Sequence, residues 1–245
     1  MTVYMAKSPS PIIFRFLLTK FNVTTSIQVS VDMWPTYLIN LAVNTERFRN
    51  SESQFASLGI QFERINAVDG RSLSDQEIKN VYDAKANKHR ARKPLVASEI
   101  GCYLSHIEVW KKIAKGNCKG GFIFEDDFQA SDDLGTLMEL LSQDAENWDI
   151  VKLFSLNTNP KYIERRLLGP NHIITTPYKV PNCTIGYGIR KSAAQKLLDC
   201  SLPFFRAIDE DHKFFWEKKL RVVLVMPPPL DNRKRTTTTE RDYQR

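Results

Sequence analysis

The chain has 245 residues, 42% of them hydrophobic and 26% charged, enough apolar material for one sizeable folded core. Its 35 Lys and Arg against 28 Asp and Glu give a net charge of +7, which favours anionic partners such as phosphates, nucleic acid or an anionic membrane surface without choosing among them. No apolar run approaches the ~20 residues of a membrane span; the best, IIFRFLL at 12–18, is interrupted by Arg15.

Residues 1–31 carry no acidic side chain and are rich in Ser, Thr and apolar types. A targeting peptide and a membrane-touching arm compete here with the preferred reading, a disordered or non-native extension over 1–33. Folded patterning begins at TYLINL, where 37–41 reads as an apolar strand. Asn44 is placed to cap a helix carrying Phe48, Phe55 and Leu58 and stopped by Gly59. Residues 61–68 predict a second strand ending in AVDG. Residues 71–97 are polar and poorly periodic, with the basic cluster KHRARK at 88–93, and read as a surface excursion.

Ser98 then opens a helix in which Ile100, Tyr103, Leu104, Ile107 and Trp110 recur at helical spacing. A strand over 122–124, a helix over 134–141 and a strand over 150–154 follow. Next come a strand in CTIGYGI, a helix in SAAQKLL, a helix over 209–217 and the strand RVVLVM. Residues 231–245 are expected to be a basic, mobile tail in which Arg233, Lys234 and Arg235 add weak attraction to anionic lipid. The alternation predicts an α/β domain over 34–230 with a mainly parallel sheet. The four cysteines lack CxxC or zinc-site spacing and read as reduced core residues of a cytosolic protein.

The chemical signal is GFIFEDDF at 121–128, an apolar strand running into Glu125, Asp126 and Asp127. Adjacent carboxylates repel unless something positive compensates them. Two carboxylates one residue apart at a strand end can take Mg²⁺ or Mn²⁺ through oxygen. An acidic turn that caps the next helix is an equally open reading.

The neighbours of that segment resemble glycosyltransferase family 25. The matching pieces are YLINL with Thr45 and Arg47, LGIQFERINAVDG, EIGCYLSHIEVWKKI, FIFEDDF, WDIVKL, GYGIRKSAAQKLL and AIDEDHKFFW, in family order across roughly 36–230. One departure is Ala42-Val43-Asn44, where the family commonly has a basic pair. The resemblance implies a GT-A-like nucleotide-binding sandwich and metal-dependent, inverting transfer of a hexose. The implied donor is UDP-galactose, and the implied acceptor is a saccharide on a lipooligosaccharide or lipopolysaccharide at the cytoplasmic membrane face.

It implies Mn²⁺ or Mg²⁺ at Glu125 and Asp127, with Asp209 or Asp211 as the base; the alternative is that one of these two, or His212, completes the metal shell. Nucleotide-sugar contacts are expected from Asn40, Arg47, Asp69, Glu99, Ser105, His106 and Asp126. Each has a bland counterpart: Asp209 and Asp211 as acids at a helix start, Asp69 as a turn former, His106 as a structural histidine. Competing functions are a metal-dependent phosphoryl- or nucleotidyl-transferase on nucleic acid, and an inactive nucleotide-sugar-binding domain. The first lacks a P-loop, a zinc site or an aromatic-interleaved basic segment, and no nucleic-acid partner is expected.

Overall fold

A computed structural model describes residues 33–91, 93–144 and 147–232. The expected N-terminal extension up to residue 32, Arg92, and the tail from Arg233 onward lie outside the described residues. In chain order the elements begin with β1 (Thr36–Asn40), α1 (Thr45–Ser57), β2 (Glu63–Asn66), α2 (Asp75–Val81), α3 (Ala84–Arg90) and α4 (Ala97–Lys115). They continue through β3 (Gly120–Glu125), β4 (Phe128–Ala130), α5 (Leu134–Gln143), β5 (Ile150–Lys152), β6 (Tyr162–Leu168) and β7 (His172–Pro177). The last are β8 (Gly186–Arg190), α6 (Lys191–Cys200), α7 (Ile208–Lys213), β9 (Val222–Met226) and β10 (Leu230–Asn232).

Eight strands form one sheet in the order β2-β1-β3-β8-β5-β9-β7-β6. The pairings run β2, β1, β3, β5, β9 and β6 in one direction and β8 and β7 in the other. The α/β class and the predominance of one strand direction match the reading from sequence; the antiparallel insertions make the sheet mixed. Strand β3 shows why its sequence is apolar throughout. Phe122 and Phe124 face a core with Phe55, Phe128, Leu134 and Trp148, while Ile123 faces the opposite core with Tyr103, Ile107, Trp110 and Tyr187. A strand covered on both faces has no polar alternation to show.

Several differences have local causes. Residues 71–97, expected to be irregular, contain α2 and α3. Each is only seven residues long, and between them they bury only Asn87, so no apolar stripe announces them. Their caps do the work: Ser74 and Glu77 form a capping box, and Asp83 accepts from the Ala86 N–H. Helix α4 starts at Ala97, ahead of Ser98, because the Glu99 carboxylate accepts the Val96 N–H at 2.9 Å. Strand β6 is an exposed sheet edge without alternation, which hid the β6–β7 hairpin. Asp231 and Asn232, expected in the tail, instead belong to β10, which pairs with β4.

The start of α4 packs directly on the loop after β2. A Cβ on Gly101 would lie 2.4 Å from the Val68 carbonyl oxygen and 2.6 Å from the Gly70 nitrogen. Alanine favours a helix interior by ~1 kcal/mol over glycine. Overpacking against immovable backbone costs about 1–3 kcal/mol, so Gly101→Ala should be net destabilising and lower the urea midpoint. An unchanged midpoint would show that the loop yields freely.

Candidate active site

The parallel strands β1, β2 and β3 end on one side of the sheet, at Asn40, Asn66 and Glu125. Open α/β sheets bind ligands beyond such carboxyl ends. A cleft of about 600 Å³ lies there, its walls including Arg47, Asp69, Cys102, Ser105, Glu125 and Asp126. That volume suits a small-molecule ligand. A second cleft, of about 570 Å³, is lined by Arg90, Phe204, Arg206, Asp211 and Lys218 and does not touch the acidic turn.

Each of the first two carboxylates of the turn has its own counterweight. Asp126 accepts from Asn40 Nδ2 at 2.6 Å and from Arg47 Nη1 at 3.2 Å. Asn40 is buried, its side-chain Oδ1 accepting from Arg64 Nη2 at 2.6 Å, so it lies beneath the cleft and holds Asp126. Helix α1 also grips the main chain of the turn. Ser51 Oγ donates to the Asp126 carbonyl at 3.3 Å, and Gln54 bridges the Phe128 carbonyl and the Ala130 N–H at 3.1 and 2.8 Å.

Glu125 accepts from the Thr184 hydroxyl and faces His106 Nε2 at 3.3 Å. Burial pushes its carboxyl up, but His106, Thr184 and the Lys152 charge together hold it below the usual carboxylate range. An ionised carboxylate only accepts, so the proton between the two groups belongs on His106 Nε2. His106 Nδ1 lies 2.9 Å from the Tyr187 hydroxyl, which accepts Trp110 Nε1–H at 2.9 Å. A hydrogen-bonded chain therefore runs from Trp110 in the core through Tyr187 and His106 to the cleft.

Beneath this chain lies Lys152, buried at the end of β5. Its ammonium donates to the Cys183 carbonyl at 2.5 Å and sits 3.2 Å from His212 Nδ1. Cys183 has φ 101°, an unfavourable conformation for a side-chain-bearing residue. Burial, with the Lys152 and His106 charges added, pushes the His212 pKa well down, so its imidazole is neutral.

Burial also lowers the Lys152 pKa from 10.5 to about 8, against the pull of Cys183, Asp209 and Glu125. Between those values the unfolded chain holds a proton that the folded chain has released, so this group makes stability rise with pH. The increment is ~3 kcal/mol from pH 8 to 10.5. Denaturation of wild type and Lys152→Met across that interval should differ by this slope, and parallel curves would refute the assignment.

Burial raises the Cys102 thiol well above its usual range, and Glu125, Asp209 and Asp127 add to the shift. Asp127 and Asp209 are not among the residues that line the 600 Å³ cleft, and one Asp209 carboxylate oxygen accepts the Glu210 N–H at 2.8 Å. Asp69 caps the turn over Gly70–Ser72 and pairs with Arg71, whose hydrogen bond holds its carboxyl low. Ser105 Oγ accepts the Val68 N–H at 2.9 Å and donates to the Gly101 carbonyl at 2.7 Å. Glu99 caps α4 and pairs with Lys93 at 2.9 Å, outside the cleft wall.

Asp211 is buried among Arg206, Lys218 and Tyr103. Burial raises its carboxyl, but these partners outweigh that and hold it low. Residues overlooked from sequence are Cys102, Lys152, Thr184 and Tyr187. Cys102 and His106 sit four apart on one helix, and Lys152 is the lone cation in an apolar strand, so both left a signal; Thr184 left none.

The sequence model described as glycosyltransferase family 25 (LPS biosynthesis protein) matches residues 33–212, well over half of the chain. The chain belongs to glycosyltransferase family 25. Among family 25 relatives, a "Glycosyltransferase 25 family member" of Aedes aegypti is 29% identical over 66% of this chain. "Procollagen galactosyltransferase 1-A" of Xenopus laevis is 28% identical over 66%. "Inactive glycosyltransferase 25 family member 3" of Mus musculus is 24% identical over 78%. The matches cover 27%, 28% and 35% of those proteins, so this chain spans about a third or less of their length.

Proposed function

We propose that this family 25 glycosyltransferase is a metal-dependent, inverting hexosyltransferase. It moves galactose from UDP-galactose, forming a β linkage to a saccharide on a lipid-linked glycan of the lipooligosaccharide or lipopolysaccharide type. The observation that carries the reading is the acidic end of β3, where Glu125 and Asp126 line a cleft of about 600 Å³ beyond the carboxyl ends of the parallel strands. Galactose is favoured by the names of the procollagen galactosyltransferases, and the lipid-linked acceptor by the description of the family.

Glu125 and Asp127 would hold Mn²⁺ or Mg²⁺, which when bound supplies Lewis-acid neutralisation of a diphosphate leaving group. Arg47 and Asp69 reach the nucleotide from the cleft wall. Asn40 and Asp126 hold that wall in shape, Ser105 fixes the loop after β2, His106 orients Glu125, and Glu99 sets the start of α4. Asp209 takes the acceptor hydroxyl proton, because Asp211 is committed to Arg206 and Lys218. Among the described residues no helix is long and apolar enough to cross a membrane. The proposed working place is the cytoplasmic membrane face, reached through weak contact with anionic lipid.

The test is UDP release from UDP-galactose, UDP-glucose and UDP-N-acetylhexosamines with Mn²⁺, with and without EDTA, against lipooligosaccharide and procollagen peptide acceptors. EDTA-sensitive release from UDP-galactose with the lipid-linked acceptor is expected. Transfer only to the peptide would overturn the acceptor. UDP binding without turnover on any acceptor would favour the binding-domain reading, which the inactive mouse relative brings into play.

A further inference from the structure

We infer that Cys102, His106 and Glu125 form a binding site for a thiophilic divalent cation, Zn²⁺ foremost. The assignment rests on these three side chains and is independent of the proposed donor and acceptor. The sulfur of Cys102, a ring nitrogen of His106 and a carboxylate oxygen of Glu125 all lie within 4.8 Å of one another. Cys102 and His106 are four residues apart on α4, one turn, so the helix presents both on one face. Glu125 meets them from the end of β3.

The geometry is close to what a tetrahedral ion needs. Bonds of ~2.0–2.3 Å to N, O and S separate the ligand atoms by roughly 3.3–3.7 Å. His106 Nε2 and Glu125 Oε1 already stand 3.3 Å apart. The sulfur has on the order of 1 Å to travel, within reach of a side-chain adjustment.

The surrounding shell is also that of a metal site. His106 Nδ1 faces the Tyr187 hydroxyl, leaving Nε2 to the ion, and Thr184 steadies Glu125. Metal-binding histidines are oriented in this way through their second nitrogen. Three protein ligands leave the fourth tetrahedral position toward the cleft, which Cys102 and Glu125 line.

The mix of donors selects the ion. Thiolate and imidazole favour Zn²⁺ and Co²⁺, whereas Mg²⁺ takes oxygen. On binding, the thiol proton leaves to solvent and the His106 proton passes from Nε2 to Nδ1, which then donates to the Tyr187 hydroxyl oxygen, so that Nε2 is free for the ion. The site shares Glu125 with the proposed Mg²⁺ or Mn²⁺ contacts, so a thiophilic ion here and that cation compete for one carboxylate.

The test uses the full chain, stripped with EDTA, kept reduced and titrated with Co²⁺. A near-ultraviolet thiolate-to-cobalt band should grow to one equivalent, survive millimolar Mg²⁺ and bleach with Zn²⁺. It should vanish in Cys102→Ser, persist in Cys200→Ser, and require about tenfold more Co²⁺ in Tyr187→Phe, as expected for loss of an orienting partner. Absence of the band, its displacement by Mg²⁺ or its persistence in Cys102→Ser would overturn the site. Should Cys102→Ser fail to fold, X-ray absorption of the zinc-loaded wild type decides. One sulfur among lighter scatterers supports the site, and a shell without sulfur sinks it.

Discussion

Replacing Asp127 with Asn should lower sugar transfer by roughly 10²–10³-fold while leaving the fold in place, a loss on the scale of removing one electrostatic stabiliser of a reacting centre. The substitution keeps the shape and removes the charge. The course of the turn is held by other groups as well. Its main chain is gripped by Ser51 and Gln54, and β4 behind it pairs with β10. The Asp127 charge, like those of Glu125 and Asp209, adds to the upward shift of the Cys102 thiol. The loss should fall on metal-dependent UDP release, with the melting temperature unchanged. Full metal-dependent activity in Asp127→Ala would show that the cation is held elsewhere.

Asp211→Asn should act in the opposite way, through stability. Asp211 sits between Arg206, at 2.6 Å, and Lys218, and also receives the Tyr103 hydroxyl. Arg206 is 5% exposed and Lys218 11%. Removing one partner of such a buried pair costs about 3–5 kcal/mol, because the remaining charges stay desolvated. For a chain of this size that corresponds to a melting temperature roughly 6–20 °C lower.

The pH dependence has a definite sign. Asp211 has its folded pKa held below the unfolded value, so its contribution is complete above the ordinary carboxylate range and is lost as pH falls below it. Acid unfolding of wild type should therefore steepen there more than that of Asp211→Asn. Asp209→Asn, by contrast, should lose transfer without a matching thermal loss. An Asp211→Asn protein as stable as wild type but inactive would exchange the roles of the two aspartates.

Legibility from sequence divides along physical lines. The helical stripe of Ile100, Tyr103, Ile107 and Trp110 and the apolar run of β3 announced themselves, because periodicity is written among near neighbours. Helices α2 and α3 did not, since two turns with hardly any buried face carry little periodicity. The edge strand β6 was silent for a related reason: an exposed strand has no second face to alternate with. Asn40 was expected at the ligand, yet its amide is spent on Asp126 and Arg64 below the cleft.

The sequence alone determined the α/β alternation, the family and the place of the acidic turn at the end of an apolar strand. Only the tertiary structure decided what balances those acids. Asn40 reaches Asp126 across 86 residues, Thr184 reaches Glu125 across 59, and Lys152 lies beneath them on a different strand. Local propensity acts over a few residues, whereas charge compensation in a buried site depends on which distant strands become neighbours, and strand order is a property of the folded sheet.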